Sequence, residues 1–214
     1  LSQELETLKA SINKGGSKYE KTHIGGYGEL HYNNFSGGPS KKDEIDFHRF
    51  VLFFGHQFND RVSLKSELEF EHVLTNTSSP GAVELEQAYL DFALSDRVNI
   101  KTGLFLIPLG TINETHEPPV FFGSERNEIE TRIIPSTWWE AGAGIHGEAA
   151  PGLNYQLYIN SSLDASKFKG ASKGVRDMRQ SVAEAKAEDF ALSGALQYTA
   201  IPGVSLGAAF FNGN

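Results

Sequence analysis

From residue 22 onward the chain alternates apolar and polar side chains with a period of two, the repeat of an extended strand whose successive residues face opposite ways. The contrast is sharpest where Val62, Leu64, Leu68 and Phe70 fall on one side and Lys65, Glu67, Glu69 and Glu71 on the other. The same repeat recurs over 22–33, 45–58, 83–94, 98–110, 138–148, 153–160, 190–198 and 204–211, which predicts nine strands. Within 98–110, Val98, Ile100, Thr102, Leu104 and Leu106 oppose Asn99, Lys101 and Gly103. Pro108 has no N–H to give a sheet ladder, so pairing is expected to stop there and yield to an irregular segment over 111–137. A loop of that length inside a compact domain is normally functional.

The connections alternate in length. Short ones (59–60, 95–97, 151–152 and 201–203) separate long ones (36–43, 75–81, 111–137 and 161–188), and part of the last, 181–186, reads as helical. Strands of about 9 to 11 residues joined alternately by short and long connections are the pattern of a transmembrane β-barrel, with short turns on one side and long outer loops on the other. A charged side chain facing lipid near the midplane costs about 2 to 4 kcal/mol, so the face carrying Lys65, Glu67, Glu69 and Glu71 is assigned to the lumen. The alternation likewise assigns Gln87, Tyr89, Asp91 and Lys101 to the lumen. In 45–58 the two faces are less distinct, because Phe47, Val51 and Phe53 oppose Phe50, Leu52 and Phe54, and a register slip there exchanges them. Phe58, Tyr155 and Tyr198 fall near strand ends, where aromatic girdles sit.

Before the strands, Leu1, Leu5, Leu8 and Ile12 follow the a/d spacing of a coiled-coil seam, and Gly15 and Gly16 close a helix over 1–16. This reads as a coiled-coil segment or as an amphipathic helix lying on its own domain. The opening is polar, so it is not a signal peptide, and the chain is expected to be cytosolic or already processed. No apolar run approaches the roughly 20 residues of a membrane helix.

Composition narrows the chemistry. Among 214 residues there is no cysteine and the formal charge is −8, which excludes disulfides, thiol catalysis and thiolate metal sites and argues against a nucleic-acid partner. No nucleophile elbow or Ser/His/Asp grouping is apparent, so no enzyme is expected. The seven histidines show no ligand spacing, and neither a metal nor a cofactor is expected. His31, His48 and His56 read as luminal or interfacial polar residues. Glu67, Glu69 and Glu71 either line water or offer carboxylates to a divalent cation, lining being preferred. Trp138 and Trp139 read as loop packing or interfacial anchors ahead of a sugar platform.

The blocks LEQAYLDF (85–92), KTGLFLIPLG (101–110), WEAGAGIHGE (139–148) and GLNYQLYINSS (152–162) resemble the phosphate-selective porin O and P family of Gram-negative outer membranes. The resemblance covers roughly 22–214. It implies a barrel of about sixteen strands, assembled as a homotrimer, whose third outer loop folds inward and narrows the lumen. An odd number of strands then implies that 22–214 is the N-terminal part of the barrel, with the constriction loop at 111–137. That loop carries Glu114, His116, Glu117, Glu125, Arg126, Glu128, Glu130 and Arg132. Acidic residues lead both here and on the wall, where phosphate-selective members carry arginine and lysine ladders. The expectation is therefore a general or weakly selective porin for small polar solutes or ions, in contact with lipid and lipopolysaccharide. The alternative is a scaffold, sheath or receptor barrel with a plugged lumen.

Overall fold

The computed structural model describes residues 21–34, 43–170 and 173–213; the helix predicted over 1–16 and most of the loop 36–43 lie outside them. The described residues build one sheet of nine antiparallel strands in sequence order. They are β1 (Thr22–Asn33), β2 (Glu44–Asn59), β3 (Val62–Glu71), β4 (Val83–Ala93), β5 (Asn99–Leu106), β6 (Trp139–Ala150), β7 (Leu153–Ser161), β8 (Phe190–Tyr198) and β9 (Leu206–Asn212). Helical structure among the described residues is confined to short turns such as Pro118–Val120 and Ile129–Ile133. The stretch 181–186 is not helical, because Ser181, Val182 and Glu184 adopt left-handed φ values of 51°, 54° and 54°, which break a right-handed helix.

Residues paired across strands share a face, so the register sorts the side chains. One face joins Ile24 to Phe54, Leu52 to Leu68, Phe70 to Val83, Ile100 to Ile145, Ile145 to Leu157, Ile159 to Leu192 and Leu196 to Ala208. It is apolar and open, with Ile24 75% and Ile159 60% exposed. An exposed apolar surface that extends across a whole sheet marks contact with a membrane or a partner. The other face joins Glu29 to Arg49 and Arg49 to Glu71, Glu67 to Gln87, Lys65 to Tyr89, Asp91 to Lys101 and Tyr158 to Ser193.

Two irregularities in the ladder keep this sorting. Leu30 pairs with Phe47 but Glu29 with Arg49, so His48 is an extra residue that sends Phe47 to the apolar face and Arg49 to the polar one. Leu68 pairs with Leu85 but Glu67 with Gln87, and Glu86 is the extra residue. Both bulges turn a charged side chain away from the apolar face.

The polar face is also where the molecule packs. Phe105, Ile107, Trp138 and Tyr158 form a buried cluster there, with Tyr89, Leu109, Leu163 and Phe211 around it. Tyr158 lies so close over β6 that a Cβ at Gly144 would come within 2.1 Å of the Leu157 carbonyl oxygen and 2.6 Å of the Tyr158 ring. Gly144→Val is therefore expected to cost about 3 kcal/mol through overpacking. A lower unfolding midpoint of the variant checks it, and an unchanged one would refute it.

Candidate functional site

The connection between β5 and β6, residues 107–138, bends back over the polar face and roots itself on one asparagine. After the last ladder bond, from Ile107 N to Trp138 O at 2.9 Å, Asn113 closes the neck of the loop. Its amide donates to Ile107 O at 2.7 Å and Trp138 O at 2.9 Å, and its oxygen accepts from Trp138 N at 2.8 Å. Strand β5 thus ends at Leu106, before Pro108, and a side chain takes over the pairing that the proline could not continue.

A second latch joins the ends of the loop's outer half. Glu130 accepts from the Thr111 amide and from Thr111 Oγ1 at 2.9 Å, while Asn127 donates to it at 3.0 Å. Burial alone would raise the pKa of Glu130, but these hydrogen bonds hold it below the usual carboxylate range.

Beyond Asn113 the loop drives His116 against the polar face of the sheet. Its Nε2 lies 3.0 Å from Glu86 Oε2 and 3.7 Å from Glu67 Oε1, and its Nδ1 lies 2.9 Å from the Asn113 carbonyl oxygen. A carbonyl oxygen only accepts, so Nδ1 carries a proton, and Nε2 facing two carboxylates needs one as well. The ring is an imidazolium. Burial works against this charge, but the hydrogen bond to Glu86 and the fields of Glu86, Glu67 and Glu117 lift its pKa from 6.5 to about 9. Glu67, Glu86, His116 and Glu117 are all at most 3% exposed. Gln87 braces the cluster by donating to Glu67 Oε2 at 2.6 Å.

Two arginine systems flank this attachment. On the sheet, Arg49 reaches Glu29 at 2.6 Å and Glu69 at 3.3 Å. On the other side the connection between β7 and β8 folds over the loop: Arg176 donates to Thr131 O and Ser136 O at 3.3 and 3.2 Å, and Arg179 to Ser136 O and Thr137 O. Arg126, inside the loop, donates to His116 O at 3.2 Å. Trp138 and Trp139 serve packing, their indoles donating to Glu140 and to Ser181 O.

A cavity of about 320 Å³ remains beside the loop, lined in part by Lys65, Glu67, Gln87, Lys101, Glu114 and Glu117. Lys101 is held in it by aromatic faces, 4.9 Å from the Tyr89 ring centre and 5.3 Å from that of Tyr158. Gln156 donates to both oxygens of Glu114, and Asp91 pairs with His146 at 3.2 Å. Glu71 borders a smaller space of about 110 Å³ with Glu69, Glu84, Arg49 and Arg126.

Residues 24–183 match the family described as phosphate-selective porin O and P. The chain belongs to this family. The match spans the β5–β6 loop, most of the β7–β8 connection that interlocks with it and the sheet from β1 to β7. An uncharacterized protein of Aquifex aeolicus (strain VF5) is 38% identical over 192 residues, which is 88% of this chain and 43% of that protein. The chain spans less than half the length of that relative.

The structure gathers Lys65, Glu67, Glu69, Glu71, Gln87, Tyr89, Asp91 and Lys101 on the face that the loop covers, and brings Glu114, His116, Glu117 and Arg126 against it. It does not bring all of the loop's charges there. Glu128 and Arg132 form an ion pair one helical turn apart in solvent, and Glu125 is 66% exposed, 3.6 Å from His31. Glu86, Arg49, Asn113, Arg176 and Arg179 are the participants that alternation alone does not find. For Glu86 the sequence does carry a signal, since strict alternation from Gln87 would set a carboxylate beside Ala88 and Leu90 on the apolar face.

Proposed function

We propose that the protein is an outer-membrane diffusion channel of a Gram-negative bacterium, a β-barrel in which the apolar face of this sheet meets lipid and the loop 107–138 is the constriction. The observation that carries the reading is the buried His116 imidazolium between Glu86 and Glu67, which fastens the loop to the wall of what would be the lumen. Long connections, in this reading, face the exterior and its lipopolysaccharide, and short turns face the periplasm. The solutes are small and polar or ionic. Around the cavity Glu67, Glu114 and Glu117 stand against Lys65 and Lys101, which favours cations weakly. A homotrimer formed through the barrel wall, with 1–16 as the end of a periplasmic coiled coil, completes this reading, the a/d spacing of Leu1, Leu5, Leu8 and Ile12 being what supports the coiled coil.

Single-channel recording of the complete protein in a planar bilayer under a salt gradient tests this. Conductance steps in threes with a reversal potential on the cation side are expected. A potential on the anion side would overturn the cation preference and return phosphate-type selectivity. A second reading draws on the interlocking of the two long loops through Arg176 and Arg179, which suits a plugged interaction barrel. Absence of conductance from a correctly folded, heat-modifiable protein would favour that reading and reject the channel.

A further inference from the structure

At the long-connection end of β1, β2 and β3, away from the His116 attachment, three side chains from separate backbone devices converge. His48 Nδ1 lies 3.0 Å from Asp46 Oδ2, and His72 Nδ1 lies 2.8 Å from Asp46 Oδ1. One donor atom from each of the three residues falls within 4.8 Å of the others. We propose that Asp46, His48 and His72 form a binding site for a divalent first-row transition-metal ion, with Zn²⁺ as the probe.

The donor set suits that class of ion. Two imidazole nitrogens and one carboxylate leave a fourth, water-filled position, as in three-ligand zinc sites, while the nitrogen donors disfavour Ca²⁺ and Mg²⁺, which take oxygen. Bonds of about 2.0 to 2.2 Å in a tetrahedron set donor atoms roughly 3.3 Å apart, so an ion entering between the rings and the carboxylate requires small side-chain movements only. The three side chains are 23 to 27% exposed, which leaves the ion a path in.

The backbone is shaped for this meeting. His48 is the extra residue of the β2 bulge, and only that insertion lets it share a face with Asp46 two positions earlier while Arg49 also points inward. His72 and Val73 hold left-handed φ values of 51° and 58°, a conformation that the β-branched Val73 rarely keeps without a compensating role, and the His72 amide is tied to His48 O at 3.1 Å. His31 stacks on His48 with ring centres 4.6 Å apart and planes 8° from parallel, and is itself anchored by Glu29 at 2.6 Å. That stack fixes the plane of His48 as an outer-shell partner does in a metal centre. A bound ion would also join the start of β2 to the chain leaving β3, at the mouth of the covered face.

The test is titration of the tag-free, metal-stripped complete protein in detergent with ZnCl2 by calorimetry, beside CaCl2 and beside a His48→Ala/His72→Ala variant. One Zn²⁺ per chain is expected, with no Ca²⁺ uptake. The variant should lose affinity by more than the about 10- to 100-fold that removal of an outer-shell partner costs. Equal zinc binding by the variant, or none by the parent, overturns the site. If the variant does not fold, zinc protection of His48 and His72 from diethylpyrocarbonate in the parent decides, with unprotected rings counting against the proposal.

Discussion

Asn113→Ala is expected to release the neck of the β5–β6 loop and to destabilise the protein by about 3 kcal/mol. The Trp138 amide loses its acceptor in a buried place, and the Ile107 and Trp138 carbonyls each lose one donor. A buried orphan N–H costs about 1 to 3 kcal/mol and each lost hydrogen bond about 0.5 to 1.5 kcal/mol. Asn113→Asp separates hydrogen bonding from volume. One aspartate oxygen can still accept from Trp138, but the other faces two carbonyl oxygens and donates only when protonated. That variant should be weak at neutral pH and recover partly in acid, read as the unfolding midpoint in detergent. A midpoint equal to the parent's in both variants would show that Asn113 does not root the loop.

Removing the cation from the wall should act on the opening itself. In His116→Ala, Glu67 and Glu86 are left buried together without their imidazolium, and breaking a buried ion pair from one side costs about 3 to 5 kcal/mol. The loop then has reason to leave the wall. In the proposed channel this raises conductance and opens 107–138 to proteases, whereas unchanged conductance and protection would remove His116 from the constriction. The same attachment titrates. Because folding raises the pKa of His116 from 6.5 to about 9, its stabilisation is complete below about pH 6.5 and is lost as pH rises through about 9. Protease access to the loop should therefore increase between pH 7 and 10 in the parent and show no such step in His116→Ala.

These two positions differ in how far the sequence reveals them. His116 stands in a loop that Pro108 makes necessary, so its candidacy follows from local rules, whereas its partner Glu86 shows in the sequence only as a carboxylate in phase with Ala88 and Leu90, and the bulge that turns it inward is set by the ladder. Asn113 has no sequence signal at all. An asparagine in a polar loop is ordinary, and only the return of the chain at Trp138 makes it a keystone. Arg176 and Arg179 belong to a connection that reads as an independent outer loop, yet they grip Ser136 and Thr137 some forty residues earlier. His48 and His72 illustrate the same point, being 24 positions apart and joined through Asp46.

What the sequence determines by itself is whatever depends on a period of two. That covers the nine strands, the apolar and charged faces of β3, the contrast of short and long connections and the place where β5 must stop. These are local consequences of backbone geometry and of the cost of placing charge against apolar surroundings. Only the tertiary structure decides which loop charges are buried and which stay in solvent. It also decides how β2 resolves its two similar faces, and which distant carboxylate receives each cation. A bulge changes the face without changing composition, and a hydrogen bond between loops depends on where the sheet brings their ends, which no periodicity encodes.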